Sequence, residues 1–246
     1  MAKLKLADAV GFKDIITTLS EFLDEATFVL SKEGLKINGM DSSKVVLIDL
    51  FMPASYFDTY EVEQDQLKVG FNLEDFADVI KRAEKEDAVS IEIEEGKVRL
   101  FYDGEFEREF ELPTIQASET EMPSLNLDLP IRAKTLTITF ADIIDSLAEI
   151  GEAITFEAKQ DKIVLKTAGD LGESAVELSQ ANGMLLEYEG GEASSTYGME
   201  YIENTTKVAR ASDTLEIRFG SQLPAKLHYE LPQGGYFDFY IAPRAE

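Results

Sequence analysis

Residues 12–28 indicate how the chain is organised, because a close copy of this segment occurs later in the sequence. The first copy reads Phe-Lys-Asp-Ile-Ile-Thr-Thr-Leu-Ser-Glu-Phe-Leu-Asp-Glu-Ala-Thr-Phe. The second copy, residues 140–156, reads Phe-Ala-Asp-Ile-Ile-Asp-Ser-Leu-Ala-Glu-Ile-Gly-Glu-Ala-Ile-Thr-Phe. The residues that recur unchanged at an offset of 128 include Phe12, Asp14, Ile15, Ile16, Leu19, Glu21 and Phe28. Such a match indicates that part of the chain is duplicated.

A second pair of matching segments supports the duplication. Residues 73–91 align with residues 199–217 at an offset of 126, and both segments carry Glu, Lys, Ala, Asp and Ile at corresponding positions. The two matches follow in the same order at almost the same offset, which is hard to obtain by chance. The sequence therefore predicts two tandem repeats of about 120 residues, a common domain size.

Each repeat has the pattern of a mixed α+β domain. Ile15 and Leu19 belong to an apolar stripe at helical spacing, which predicts an amphipathic helix. A second helix is predicted near residues 72–83, with Asn72 as its N-cap. Short apolar runs separated by turns such as Glu95-Gly96 predict antiparallel strands around these helices. The predicted fold class is α+β, with antiparallel sheets and four helices in the chain.

A proline-containing segment separates the two repeats. Residues 113–130 include three prolines, at positions 113, 123 and 130, and their apolar residues show no sustained periodicity. Proline disfavours a helix and stiffens the chain, so we expect an extended connector that runs over the surface. The predicted division is an N-terminal domain at 1–116, a connector at 117–132 and a C-terminal domain at 133–246.

The composition excludes several classes of protein. The chain of 246 residues has no cysteine and one histidine, so a disulfide framework and thiolate metal sites are excluded. No Gly-rich phosphate loop is recognisable, and we expect neither a cofactor nor a metal ion. No apolar run approaches the roughly 18 residues of a membrane-spanning helix, and the N-terminus has no signal-peptide core. We therefore expect a cytoplasmic protein that makes no membrane contact.

The net charge bears on nucleic-acid binding. With 23 Lys and Arg against 48 Asp and Glu, the formal net charge is −25. Proteins gain affinity for duplex DNA largely from Lys and Arg that displace counterions. A domain that binds DNA with high affinity is therefore not expected.

Several segments together resemble the DNA sliding clamps of the proliferating cell nuclear antigen family. The resemblance covers essentially the whole chain and is greatest to crenarchaeal clamp subunits. It rests on the order and spacing of the two repeats, the connector, residues 40–45 (Met-Asp-Ser-Ser-Lys-Val), 136–145, 197–201 and 240–244 (Tyr-Ile-Ala-Pro-Arg). It implies a ring of three subunits, identical or different, whose helices line a hole that holds duplex DNA without reading its sequence. It also implies a processivity factor without catalysis, which tethers DNA polymerase, flap endonuclease and DNA ligase and is placed on DNA by a clamp loader.

The resemblance also implies a pocket for short docking motifs of these client proteins. Such a motif inserts a helical turn with apolar and aromatic anchors beside the connector and the C-terminal domain. Taken alone, Val45, Leu47 and Ile241 are also typical of core strands, and only the family pattern favours a pocket. The implied pocket residues are Met40, Lys44, Val45, Leu47, Met122, Pro123, Pro224, Tyr240, Ile241, Ala242 and Pro243.

Basic residues on the helices match or neighbour the family's hole-lining positions. They would make few, sequence-independent contacts with phosphates, although a solvated helix face is the alternative for any short basic cluster. The implied DNA-facing residues are Lys13, Lys81, Arg82, Lys85, Lys207 and Arg210. The third helix departs from the family, because Asp142, Asp145 and Glu149 form an acidic stripe that Asp14 and Glu21 echo on the first helix.

Two strand edges are the implied subunit contacts, namely residues 105–112 of one chain and residues 172–179 of the next. An unpaired strand edge invites association, which makes edge pairing physically reasonable. The implied interface residues are Glu105, Phe106, Arg108, Phe110, Leu112, Ser174, Val176 and Leu178.

Two other functions are compatible with the residues. The acidic third helix fits a clamp-like adaptor that assembles with proteins without contacting DNA. Pairs of carboxylates such as Asp142 and Glu149 also resemble the acid and base of a hydrolase. However, carboxylate pairs arise freely in so acidic a chain, and His228 has no recognisable Ser and Asp partners. We therefore predict a clamp subunit and no enzymatic activity.

Overall fold

The structure is a computed structural model that describes residues 1–84, 87–118, 127–170 and 172–244. The chain forms two compact units. The first comprises Met1–Ser42, Ile48–Met122 and Leu231–Phe237, and the second comprises Ser43–Leu47, Pro123–Glu230 and Asp238–Glu246. Each unit therefore includes a short segment from the other half of the sequence, residues 231–237 in the first and residues 43–47 in the second.

The elements of the first half of the chain follow the order β-α-β-β-β-β-β-α-β-β-β. They are β1 (Ala2–Leu6), α1 (Val10–Ser20), β2 (Glu25–Ser31), β3 (Gly34–Met40), β4 (Val46–Pro53), β5 (Thr59–Val62), β6 (Gln66–Asn72), α2 (Leu73–Ile80), β7 (Ala88–Glu94), β8 (Lys97–Asp103) and β9 (Arg108–Pro113). A short 3-10 turn at Ala54–Tyr56 follows β4.

The second half of the chain repeats this order. Its elements are β10 (Ile131–Leu136), α3 (Thr137–Ala148), β11 (Ala153–Lys159), β12 (Lys162–Gly169), β13 (Gly172–Ser179), β14 (Glu187–Glu189), β15 (Ala193–Gly198), α4 (Met199–Thr206), β16 (Thr214–Phe219), β17 (Ala225–Leu231) and β18 (Gly235–Ile241). The predicted duplication and the α+β fold class are confirmed.

Antiparallel sheets build both units. In the first unit five strands follow the order β5-β1-β7-β8-β9, and β2 lies between β3 and β6. In the second unit the orders are β13-β12-β11-β15 and β14-β10-β16-β17. Alternate residues of most strands are buried, as expected for sheets with one face against a core.

Equivalent phenylalanines lie in the cores of the two units. Phe28 on β2 is buried against Phe71 and Phe76, with ring centroids 4.6 and 5.6 Å away. Its counterpart Phe156 on β11 is buried against Tyr197 and Phe219, at 5.1 and 5.7 Å. The repeated phenylalanine therefore marks the same core position in both units.

Some local predictions need correction. Helix α2 ends at Ile80 rather than near residue 83, although the N-cap is confirmed because Asn72 Oδ1 accepts a hydrogen bond from Asp75 N at 2.9 Å. Strand β9 begins at Arg108, so Glu105 and Phe106 lie in the bend before it. Strand β10 already begins at Ile131, inside the segment assigned to the connector. Residues 119–126 lie outside the described part, and the predicted domain division stays a prediction.

Among the described residues, none of the helices has both the length and the apolar character needed to cross a membrane.

Candidate functional site

Two segments of the predicted pocket meet in the second unit. Lys44 has a left-handed backbone with φ of 59°, which redirects the chain into β4. The carbonyl oxygen of Val45 accepts a hydrogen bond from Ala242 N at 2.9 Å. Residues 44–47 and the end of the chain are thus joined through their backbones.

The C-terminal tail is held by further backbone contacts. Arg244 N donates to Thr196 O at 2.8 Å, and Arg244 Nη1 donates to Glu152 O at 3.3 Å. An open cleft of about 750 Å³ adjoins the tail and is lined by Arg244, Tyr201 and the turn after α3, among other residues. The tail therefore presents Ala242 and Pro243 in a fixed conformation.

Burial divides the predicted pocket residues into two groups. Leu47 and Ile241 are buried, at 6% and 0% exposure, so their side chains belong to the core and can only support a pocket from beneath. Lys44 is exposed. The half-buried members, which have surface available to a ligand, are Val45, Pro224, Tyr240, Ala242 and Pro243.

The remaining predicted pocket residues lie elsewhere in the chain. Met40 ends β3 in the first unit and is 37% exposed, unusual for a large apolar side chain. Met122 and Pro123 lie outside the described residues. The structure thus joins residues 44–47 to the C-terminal tail within the second unit and leaves the contributions of Met40, Met122 and Pro123 as predictions.

A charged cluster lies next to Tyr240. Lys226 Nζ is 2.7 Å from Asp238 Oδ2 and 5.2 Å from the centroid of the Tyr240 ring. His228 Nδ1 is 2.5 Å from the other carboxylate oxygen of Asp238. Burial acts to lower the pKa of Lys226, but Asp238 and Tyr240 outweigh it, and the pKa is raised above its usual value. Lys226 is therefore held in its charged form.

The predicted interface strands both lie at sheet edges. Strand β9 is the last of five strands in its sheet, and β13 is the first of four strands in its own. Each strand therefore pairs with one neighbouring strand in its sheet, and among the described residues its other edge has no neighbour in that sheet. This is the arrangement needed for adding a strand from another chain.

The two edge strands have the same pattern of burial. On β9, Arg108, Phe110 and Leu112 are half-buried, while Glu109 and Glu111 between them are exposed. Phe110 packs edge-on against Tyr102 at 5.5 Å. Phe106, before the strand, is 72% exposed, and Glu105 is exposed too.

Strand β13 repeats that alternation. Ser174 and Val176 are half-buried and Leu178 is buried, whereas Glu173 and Glu177 lie on the exposed face. Each predicted interface strand thus has a mainly apolar inner row, which includes Arg108 on β9 and Ser174 on β13, and an outer row with two glutamates.

Two family models together cover residues 1–244 of the chain. The model described as proliferating cell nuclear antigen, N-terminal domain, matches residues 1–129, and the C-terminal domain model matches residues 126–244. The chain belongs to the proliferating cell nuclear antigen family.

Relatives within the family match along their full lengths. The chain is 51% identical over 244 residues to DNA polymerase sliding clamp 2 of Saccharolobus solfataricus, covering 99% of this chain and 100% of the relative. It is 52% identical to DNA polymerase sliding clamp 3 of Sulfurisphaera tokodaii over 246 residues, with 99% and 100% covered.

Solved structures of the family have the same fold. A chain in the crystal structure of the PCNA2–PCNA3 complex from Sulfolobus tokodaii matches with a TM-score of 0.94 and 52% identity, covering 99% of this chain and 100% of that chain. PCNA from Thermococcus kodakaraensis matches with a TM-score of 0.92 and 30% identity over 99% and 100% of the two chains.

Four of the basic residues assigned to the hole of a family ring lie at or just after helix ends, whereas Lys13 lies within α1. Lys81 is the C-cap of α2 and Lys207 that of α4, where a cation is favoured by the negative end of the helix dipole. Both are exposed, as are Arg82 and Arg210 in the turns that follow. The exposed basic residues therefore form one pair at the end of α2 and another at the end of α4.

Some of these basic side chains also make contacts within the protein. Lys13 Nζ donates to Ala83 O at 3.0 Å, and the guanidinium carbon of Arg82 lies 5.5 Å from the Phe110 ring centroid. Lys81 Nζ is 4.0 Å from Asp78. Lys85 lies outside the described residues.

The acidic stripe of α3, which departs from the family pattern, is only partly repeated on α1. Asp142, Asp145 and Glu149 are exposed on or just after α3, and Glu21 is exposed after α1. Asp14 is buried at 5% exposure, so it is no part of an acidic surface and the predicted echo is wrong there. In the described part of the chain, no group of three or more Asp, Glu, His or Cys side chains is placed to hold a metal ion.

Sequence reasoning missed Lys226 and Asp238 beside Tyr240. They lie on β17 and β18, where the alternation of buried and half-buried residues predicts only the face of the strand on which each side chain lies. The contact between them depends on how two strands lie side by side, for which a single sequence has no local signal.

Proposed function

We propose that the chain is one subunit of a DNA polymerase sliding clamp, in which three subunits form a ring around duplex DNA. The structural observation that carries this proposal is the pair of sheet edges, β9 in one unit and β13 in the other. A head-to-tail ring requires two different edges on every subunit, each complementary to the edge of a neighbouring subunit. Relatives named DNA polymerase sliding clamp, matched over their whole lengths, support the same assignment.

The charges of the two edges favour neighbours of a different sequence. If β9 of one copy paired with β13 of another, Glu109 would face the side of the sheet that carries Glu173. Glu111 and Glu177 lie on the same two edges, but each is paired with a lysine of the neighbouring strand in its own sheet. Like charges in cross-strand positions are destabilising. We therefore propose a heterotrimer, in which the neighbouring edges supply Lys or Arg on the exposed face.

Clients dock, in this proposal, on the pocket around Tyr240 and Pro243, joined by Met40, Met122 and Pro123. The clients are DNA polymerase, flap endonuclease, DNA ligase and the clamp loader, each through a short docking motif. The half-buried side chains of Tyr240, Ala242 and Pro243, on a tail that is anchored through its backbone, support this proposal. We assign no catalytic step to the chain, and we place it in the cytoplasm with the nucleoid.

Topological retention on DNA tests the clamp against the adaptor. The assembled ring, loaded by a clamp loader onto nicked circular DNA, is expected to stay bound in high salt and to be released when the DNA is linearised. Release follows because a closed ring holds DNA by enclosure rather than by affinity. An adaptor, the alternative favoured by the exposed acidic stripe of α3, would be absent from the DNA fraction before linearisation.

Charge reversal of the helix termini tests the predicted DNA contacts. The triple variant Lys81→Glu, Arg82→Glu and Lys207→Glu is expected to lower polymerase stimulation several-fold, because it removes three phosphate contacts and adds repulsion. Binding of a client peptide should be unchanged, since these residues lie at helix ends rather than in the tail segment. Equal loss of both activities would contradict this separation of roles.

A further inference from the structure

Lys226 occupies an unusual position for a lysine. It lies on β17 between the buried residues Ala225 and Leu227, so its side chain points to the opposite face of the strand. Only 22% of that side chain is exposed. A lysine normally keeps its ammonium group in water, so a half-buried one must have partners that replace the water.

Asp238 is the principal partner of that ammonium group. Its side chain is 7% exposed, and Oδ2 lies 2.7 Å from Lys226 Nζ. The second oxygen, Oδ1, lies 2.5 Å from His228 Nδ1. Both carboxylate oxygens are therefore engaged, and the largely buried carboxylate fixes where the ammonium group can lie.

The ammonium group is thereby placed next to Tyr240. Its nitrogen lies 5.2 Å from the ring centroid, within the distance at which a cation and an aromatic ring attract each other. Tyr240 is also one of the groups that favour the charged form of Lys226. An ammonium group fixed at this distance restricts the positions that the half-buried ring can adopt.

We infer that Lys226 is a positioning residue of the client pocket, which Asp238 fixes so that the Tyr240 ring is held ready for an aromatic anchor of the client. This inference rests on the proposed function, in which Tyr240 belongs to that pocket. Immobilising a mobile side chain on binding costs affinity, so a ring that is already held makes binding tighter. Lys226 would thus act on the client through Tyr240 rather than through the client's own charge.

The test uses calorimetric binding of a synthetic peptide with the pattern Gln-x-x-Leu-x-x-Phe-Phe to the full chain. Lys226→Met keeps most of the length of the side chain but removes the cation. It is expected to weaken binding about three- to tenfold, the effect of freeing one side chain. Lys226→Arg, which restores a cation next to Asp238, is expected to recover most of the affinity.

Arg218 provides a matched control. It is the cross-strand partner of Lys226 on β16, and its ion pair is with Glu216 rather than with Asp238. Arg218→Met therefore removes a comparable ion pair from the same face and is expected to leave peptide affinity unchanged. Equal weakening in both methionine variants would overturn the inference, because it would indicate a general loss of structure.

Tyr240→Ala separates this inference from the proposed function. If Tyr240→Ala weakens binding and Lys226→Met does not, Lys226 has no positioning role and the pocket stands. If Tyr240→Ala has no effect, the proposed pocket is overturned together with the inference. In the Lys226→Met/Tyr240→Ala double variant, the lysine change should add nothing to the loss from Tyr240→Ala, whereas additive losses would contradict an action through the ring.

Discussion

The chain on its own is expected to stay monomeric, whereas the variant Glu107→Lys/Glu109→Lys is expected to associate with itself. Both glutamates are exposed, at alternate positions leading into β9, so they extend along the outer face of that edge. The opposing edge, β13, carries Glu173 and Glu177 on its exposed face and no basic residue, and of these two Glu177 is paired with Lys162 of the neighbouring strand at 2.6 Å. Reversing two charges replaces repulsion by attraction, and each cross-strand pair changes the interface by roughly 0.2–1 kcal/mol in either direction.

Sedimentation velocity of each protein at low ionic strength measures this effect. Glu111 is left unchanged because its carboxylate is bonded to Lys97 at 2.8 Å within the sheet. The control is Glu95→Lys/Glu192→Lys, which alters the net charge equally at two exposed positions outside both edge strands. High salt should also promote self-association of the unchanged chain, since screening weakens the repulsion. A stable trimer of the unchanged chain at low salt would contradict the expectation.

The repeat explains why so much of the fold could be predicted. Residues 12–28 and 140–156 share both an apolar helical stripe and a core phenylalanine, so one reading of the pattern applies to α1 and α3 alike. Hairpins such as β2–β3 have local turn signals in the sequence. Strand β1 was not among the predicted segments, although Lys3 and Lys5 alternate with Ala2, Leu4 and Leu6 in the manner of a half-buried strand.

The surface could be predicted less well, because exposure is set by tertiary packing. Asp14 and Asp142 occupy the same repeat position, yet Asp14 is buried and Asp142 is exposed. Leu47 and Ile241 fit the family pattern of the pocket, but their side chains face the core. The resemblance implied that residues 105–112 and 172–179 are strand edges, but only the burial pattern shows that Glu109 and Glu173 lie on their exposed faces.

Tyr240→Ala is expected to reduce client-peptide affinity by about 30-fold or more. Tyr240 is half-buried next to Ala242 and Pro243, which the hydrogen bond between Val45 and Ala242 keeps in place. Aromatic side chains at the centre of an interface often contribute 2 kcal/mol or more on truncation, which corresponds to roughly a 30-fold change. Calorimetry with the Gln-x-x-Leu-x-x-Phe-Phe peptide measures the loss, and adding Met40→Ala should weaken the remaining binding.

Tyr236→Ala is the control for this change. Tyr236 lies four residues earlier in β18, is also half-buried, and packs with its ring centroid 5.9 Å from that of Phe51. Its loss should lower stability without lowering peptide affinity, because its contacts are made within the first unit. If both tyrosine variants lost affinity equally, binding would depend on the integrity of β18 rather than on Tyr240. If the unchanged, folded chain bound no peptide, client recruitment would have to come from the neighbouring subunits, and this subunit would serve the ring as a structural segment.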